Sequence, residues 1–154
     1  MNSPKFHDGF KLDLAAAQQL PNFDLLCIMD ATCGLCAKMA TRVAHNDRAQ
    51  RYQILPIQSE QGQAIARHFG IDPNDPSSWI LLTQDKARFG IKAFIEVGKD
   101  FGGIWSLFRI LEILPSSWQQ ALYRTIATNR YRLFGRTDLC TLPDREVQWR
   151  LVKT

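Results

Sequence analysis

Residues 25–36 read LLCIMDATCGLC: five apolar residues, a short polar turn, and two cysteines separated by two residues. The length and continuity of the apolar run predict a buried strand, with Cys27 in its middle as a small core residue. From Cys33 onward, apolar and small residues recur every three or four positions to about residue 46, which predicts a helix. Unpaired backbone N–H groups and the helix dipole stabilise a thiolate at such a helix start. The stretch therefore predicts a redox site.

The pattern that follows predicts a mixed sheet. Residues 52–57 read as a second strand, and a strand–helix–strand unit favours a parallel pair joined by a right-handed crossover. Ser59 is placed to cap a helix that stops at Gly70. Residues 79–83 and 87–90 then predict a hairpin of two further strands.

The last third of the chain is predicted to be helical. The patterning predicts helices over 91–97, 104–114 and 116 to about 127, with Ser116 or Ser117 as the cap of the last one. Its aromatic residues are expected to fill the core between these helices: Trp105, Phe108 and Trp118.

Composition indicates one ordinary globular domain. The chain has 154 residues, 45% of them hydrophobic and 22% charged, which is enough to bury a sizeable core without structural staples. We expect an N-terminal extension over 1–22, the main domain over 23–143, and a C-terminal tail over 144–154. The first residues do not resemble a signal peptide, and the apolar run 104–114 is too short to span a bilayer. We therefore expect a soluble cytoplasmic protein, in which four cysteines indicate chemistry, metal binding or packing before structural disulfides.

The positive charge lies at the C-terminal end. Residues 101–154 hold eight Lys and Arg against four Asp and Glu, whereas residues 1–100 hold eleven of each. Arg130, Arg132 and Arg136 alternate with aromatic residues there and could form a binding surface. The favoured alternative is a helix that docks its aromatic residues on the domain and keeps its arginines outward or paired. Because the charge is modest, no nucleic acid partner is expected.

Three blocks together resemble the DCC family of thiol-disulfide oxidoreductases. They are residues 30–36, DATCGLC; residues 55–62, LPIQSEQG; and residues 129–136, NRYRLFGR, followed by Cys140 and Pro143. The resemblance spans about residues 24–143 and implies a thioredoxin-like fold. Thioredoxin-like sites usually place a cis-proline before the third strand. The nearest candidate, Pro76, lies too far from that strand for a clear assignment.

The cysteines and the acidic residue of the first block have predicted roles, each with an alternative. Cys33, expected to be exposed at the helix start, is the predicted nucleophile, and Cys36 is expected to resolve the mixed disulfide. Asp30 could accept a proton from the resolving thiol through water, or could simply satisfy N–H groups of the turn. Cys140 is a third redox thiol, a metal ligand or a packing residue, of which packing is favoured. The competing interpretation of the pair is half of a zinc site, completed by Cys140 and one of three histidines: His7, His45 or His68.

We therefore predict an α/β protein with a thioredoxin-like three-layer mixed sheet and additional C-terminal helices. The expected activity is exchange of the Cys33–Cys36 dithiol with a protein or small-molecule disulfide, with glutathione or a thioredoxin-type protein as reductant. No metal or organic cofactor is required. The alternative is a non-catalytic, zinc-stabilised binding module that uses the basic aromatic C-terminal surface.

Overall fold

A four-stranded mixed sheet forms the centre of the molecule in the computed structural model, which describes residues 22–74, 79–83 and 86–152. The strands are β1 (Leu25–Met29), β2 (Tyr52–Pro56), β3 (Ile80–Thr83) and β4 (Ala87–Phe89), in the spatial order β2-β1-β3-β4. β1 runs parallel to β2 and antiparallel to β3, and β3 and β4 form an antiparallel hairpin. The predicted mixed sheet is confirmed.

Five α-helices and a long 3-10 helix accompany the sheet in the described residues. The helices are α1 (Gly34–Asn46), α2 (Glu60–His68), α3 (Gly90–Phe101), α4 (Ser116–Phe134) and α5 (Arg145–Arg150). A 3-10 helix spans Gly103–Ile113 between α3 and α4, and a short one spans Leu139–Thr141. Ser59 caps α2 as predicted, because its hydroxyl accepts a hydrogen bond from the N–H of Gly62.

The sheet separates two apolar cores, as a three-layer fold requires. Alternate side chains of β1 point to opposite faces. Cys27 and Met29 join the core formed with α1, α3 and α5, whereas Leu26 and Ile28 join the core formed with α2. Cys27 is fully buried, as predicted, and burial raises the pKa of its thiol far above the ordinary value. The three-layer α/β architecture predicted from the sequence is confirmed.

The helix predicted over 104–114 is present as a 3-10 helix over Gly103–Ile113, and every third side chain of one face is exposed: Ile104, Leu107, Ile110 and Ile113. Two other expectations for the last third were wrong. Helix α4 continues to residue 134, and its N-cap position is Pro115, so neither Ser116 nor Ser117 caps it. Trp118 is 66% exposed instead of filling the core, while Trp105 and Phe108 are partly buried.

The stretch 144–154, expected as a tail, contributes helix α5 to the packed domain. Val147 is fully buried, and Asp144 caps the helix by accepting hydrogen bonds from the N–H groups of residues 146 and 147. The buried Arg150 donates to the backbone carbonyl of Asp47 at 2.9 Å, and its Nε lies 3.6 Å from the Asp47 carboxylate. These contacts make residues 144–152 part of the fold. The predicted extension 1–22 lies almost wholly outside the described residues.

Candidate redox site

The two cysteines of the first block stand at the start of α1, directly after β1. Cys33 is the N-cap residue with extended backbone dihedrals, and Cys36 lies one turn further along the same helix. This position follows from the local sequence, since β1 ends at Met29 and only four residues separate it from the helix. Each of the two thiol groups is the largest single influence that lowers or raises the pKa of the other. The structure thus brings together the two residues that the spacing predicted as a pair.

Interaction between the two thiol groups shifts their pKa values in opposite directions. The Cys36 thiol donates to the Cys33 sulfur, and this bond, with the backbone N–H groups of residues 35 and 36, lowers the pKa of Cys33 from 9.0 to about 6. Burial and the negative charge of Asp30 oppose that shift without cancelling it. The same hydrogen bond, followed by burial and the charges of Cys33 and Asp30, raises the pKa of Cys36 well above its ordinary value. At pH 7 the pair therefore holds one proton and one negative charge.

Cys33 is not the exposed residue that was predicted. It has no exposed surface, whereas Cys36 is partly exposed. Cys33 is covered by the segment 134–139, which begins at the last residue of α4 and is called here the covering segment. It pairs with the cysteine loop through a bridge between Cys33 and Arg136 and through three backbone hydrogen bonds, one of them donated by the Gly34 N–H to the Gly135 carbonyl at 3.1 Å.

Gly34 is what allows the covering segment to come so close. A Cβ atom at this position would lie 2.2 Å from the carbonyl oxygen of Phe134, a backbone atom that no side-chain rotation can move away. The Cys-X-X-Cys spacing by itself predicts no role for this glycine. A glycine between two functional residues is the signal that could have indicated close backbone approach.

Asp30 is a buried, ionised centre of hydrogen bonds under the cysteine turn. Its carboxylate accepts from the Thr32 N–H at 2.9 Å, the Thr32 hydroxyl at 2.8 Å, the Gln58 amide at 2.7 Å and the Tyr131 hydroxyl. Burial alone would raise the pKa of Asp30, but these hydrogen bonds outweigh burial and lower it. The contacts are those of the turn-stabilising role that the sequence left open.

Arg130 is buried and paired with a carboxylate, which agrees with the favoured prediction for the arginines of this block and corrects the alternative of a binding surface at this residue. Its side chain is buried in α4, with the guanidinium 3.5 Å from the Asp30 carboxylate and 4.5 Å from the centre of the Tyr131 ring. Arg132 and Arg136 remain exposed, and the guanidinium of Arg136 lies 4.7 Å from the centre of the same Tyr131 ring. The pairing of Arg130 with Asp30 joins residues one hundred positions apart, so local sequence patterns carry no signal for it.

Cys140, His45 and His68 form no metal-binding group with the cysteine pair in the described part of the chain. Cys140 is exposed in the short 3-10 helix, so its favoured packing role was wrong, and partial burial together with the charge of Asp138 raises the pKa of its thiol. His45 contacts Asp144 at 2.8 Å. Within 22–74, 79–83 and 86–152, no group of three or more His, Cys, Asp or Glu could hold a metal ion. His7 and Pro76 lie outside the described residues.

The fold and the site together define a thioredoxin-like α/β protein with a Cys-X-X-Cys pair at the first helix after the first strand. A family model described as DCC1-like thiol-disulfide oxidoreductase matches residues 27–136. The chain belongs to this family, as the three sequence blocks suggested. The match begins in β1 and ends within the covering segment, so it includes both the Cys-X-X-Cys turn and the residues of α4 that contact Asp30.

Two relatives support the assignment. The uncharacterized protein YuxK of Bacillus subtilis is 27% identical over 136 residues, which cover 88% of this chain and 98% of the relative. A chloroplastic DCC family protein of Arabidopsis thaliana is 30% identical over 118 residues, which cover 76% of this chain and 69% of that relative. No solved structure matches the chain. No described helix has both the length and the apolar character needed to cross a membrane, and the cytoplasmic location stays a prediction.

Proposed function

We propose that this protein is an enzyme of thiol–disulfide exchange and that the Cys33–Cys36 pair carries the reaction. The observation that carries the proposal is the placement of Cys33 and Cys36 one helical turn apart at the N-terminus of α1, where the pKa of Cys33 is lowered and that of Cys36 is raised. A thiolate is the attacking species in exchange, and an adjacent thiol is the group needed to resolve a mixed disulfide. Membership of a thiol-disulfide oxidoreductase family supports the same reaction.

The reaction transfers two electrons from the pair to the substrate. A thiolate of the pair attacks one sulfur of a substrate disulfide, forms a mixed disulfide and expels the other substrate sulfur as a thiolate. The second cysteine loses its proton, attacks the cysteine sulfur of the mixed disulfide, and expels the remaining substrate sulfur. The products are the Cys33–Cys36 disulfide and two substrate thiols. An external thiol such as glutathione, or a thioredoxin-type protein, reduces the pair again, and no metal or organic cofactor takes part.

Asp30 is proposed as a positioning residue for this pair. Its carboxylate joins the turn before Cys33 to Tyr131 and Arg130 of α4, so it holds the thiols in place against the covering segment. The lowered pKa makes the Asp30 carboxylate a weaker base, which argues against the alternative role of accepting a proton from the resolving thiol. Its negative charge also raises the pKa of Cys33, and this leaves a measurable electrostatic signature. Asp30→Asn should lower the pKa of Cys33, whereas a purely structural contribution would only reduce stability.

A redox titration tests the proposed activity. Purified protein is equilibrated in a series of glutathione redox buffers, free thiols are trapped, and peptide mapping assigns each thiol. Cys33 and Cys36 should change together to one intramolecular disulfide with a single midpoint, and the midpoint gives the direction of the reaction in the cell. Cys140→Ser is the matched control because Cys140 is exposed and stands outside the pair. The proposal is wrong if both thiols stay reduced across the series, or if Cys33→Ser retains disulfide reductase turnover.

A further inference from the structure

An apolar cavity lies beside the thiol pair, and only one of the two cysteines lines it. A cavity of about 230 Å³ lies between α1, α3, the long 3-10 helix and α4. Its polar groups are Cys36, Asp30 and Arg130, of which Asp30 interacts with both of the others. The rest of the lining is overwhelmingly apolar and includes Trp79 and Ala127. Such a pocket, apolar with a few converging polar groups, is the usual form of a small-molecule site.

Access to the pair differs between its two sulfurs. Cys36 lines the cavity, while Cys33 does not line it and is fully covered by the segment 134–139. A ligand in the cavity therefore meets the Cys36 sulfur first. The side chain that was predicted to resolve the mixed disulfide is the one that faces the substrate.

Volume and charge restrict what the cavity can hold. An apolar cavity of about 150 Å³ accommodates one benzene molecule, so this cavity has room for a ligand only somewhat larger, of roughly ten non-hydrogen atoms. A folded protein disulfide flanked by bulky residues is too large to enter. The Asp30 carboxylate is paired with the Arg130 guanidinium in the same wall, so the wall has no net charge with which to attract a charged ligand.

We propose that the cavity binds a small, uncharged, apolar disulfide and delivers it to the sulfur of Cys36. This assignment rests on the proposed exchange activity and names its substrate class. In this assignment Cys36 attacks the substrate and Cys33 resolves the mixed disulfide, which is the reverse of the roles predicted from the sequence. The reason is that a ligand in the cavity can reach Cys36 and not Cys33, although Cys33 is the more acidic thiol.

The chemistry balances without any further reactant. The proton of Cys36 passes along the hydrogen bond to the Cys33 sulfur, and the Cys36 thiolate that remains attacks a substrate sulfur. One S–S bond of the substrate breaks, a Cys36–substrate bond forms, and the other substrate half leaves as a thiolate that takes the proton of the buried Cys33 thiol. The Cys33 thiolate then attacks the Cys36 sulfur. The Cys33–Cys36 disulfide forms and the second substrate half leaves, so the dithiol is oxidised by two electrons and the substrate disulfide is reduced by two.

Two probes of equal size test the substrate class. Dipropyl disulfide and bis(2-hydroxyethyl) disulfide differ only in a terminal methyl against a terminal hydroxyl on each arm. The reduced protein is mixed with each, and the rate is divided by the rate of the same probe with dithiothreitol to remove intrinsic reactivity. We expect the protein to prefer dipropyl disulfide by roughly tenfold to a hundredfold, because an apolar wall cannot satisfy the hydroxyls. Equal corrected rates would overturn the substrate class.

A matched pair of variants tests the cavity itself. Ala127→Leu adds three carbon atoms to the cavity wall, whereas Ala121→Leu makes the same change at an exposed position of the same helix. The first should lower the rate with dipropyl disulfide at least tenfold, and the second should leave it within a factor of two. A rate unchanged in a folded Ala127→Leu protein contradicts the location. If that variant does not fold, the two-probe comparison on the natural chain still decides the proposal.

Trapping of the mixed disulfide tests the order of attack. With dipropyl disulfide, at a pH high enough to ionise the remaining thiol in each variant, Cys33→Ser should accumulate a propylthio adduct on Cys36, and Cys36→Ser should form an adduct on Cys33 at least tenfold more slowly, because Cys33 is covered. The opposite order of rates would overturn the assignment of Cys36. Failure of the glutathione titration would instead remove the exchange activity, so the two failures are distinguishable.

Discussion

Removing the hydrogen bond from Cys36 should return the Cys33 thiol to ordinary acidity. The bond is the largest contribution to the lowered pKa of Cys33, which falls from 9.0 to about 6. A thiol with a pKa of 6 is about 90% ionised at pH 7, whereas one with a pKa of 9 is about 1% ionised. Cys36→Ala should therefore abolish nearly all of the thiolate present at neutral pH. Cys36→Ser keeps an O–H donor at the same place and should retain a pKa between these values.

The thiolate absorbance at 240 nm measures this change without needing access to the buried sulfur. The signal below pH 8 belongs to Cys33, because the pKa values of Cys27, Cys36 and Cys140 are all raised. The reduced natural chain should give a first midpoint near pH 6, and Cys36→Ala a midpoint near or above pH 8. Equal midpoints in the natural chain and Cys36→Ala would refute the hydrogen bond as the cause and leave the helix N-terminus as the source of the acidity.

Three further changes probe the contacts around the site. Gly34→Ala should lower the free energy of unfolding in urea by about 1–3 kcal/mol, because the new methyl group would collide with the Phe134 carbonyl; an unchanged stability would contradict the close approach. Tyr131→Phe removes a hydrogen bond to ionised Asp30 and should cost about 1–2 kcal/mol at pH 7. The lowered Asp30 pKa contributes stability at neutral pH that is lost as the pH falls through it, so this cost should shrink in urea unfolding at decreasing pH. Arg150→Ala should cost about 3–5 kcal/mol because it leaves a buried carboxylate without its partner, and a change below 1 kcal/mol would show that residues 144–152 do not stabilise the domain.

The central part of the fold could be predicted because its signals are local. An apolar run of strand length, a serine cap at residue 59 and turn residues between hairpin strands each specify their element within a few positions. The Cys-X-X-Cys spacing likewise places two sulfurs on one helical turn, and the structure brings them into hydrogen-bond contact. Local chemistry was therefore sufficient for the pair itself.

The surroundings of the pair could not be predicted because they depend on distant contacts. The pattern of the C-terminal block did not show which arginine is buried. Arg130 is buried because its guanidinium pairs with the buried Asp30 carboxylate. Burial of Cys33 depends on a segment one hundred residues later, so exposure could not be inferred from its own helix position. One local signal was overlooked: apolar residues at strict intervals of three from Ile104 to Ile113 match the repeat of a 3-10 helix.

The covering segment also has a consequence for how the protein is made. Tyr131 and Asp30, which join the two halves of the site, are 101 residues apart, so this contact can close only after most of the chain has been synthesised. Contacts of such long separation form late in folding because the loop between them must first be closed. A growing chain therefore presents both thiols uncovered for most of its synthesis. During this interval oxidants and other nascent chains can reach Cys33, and completion of α4 ends the exposure.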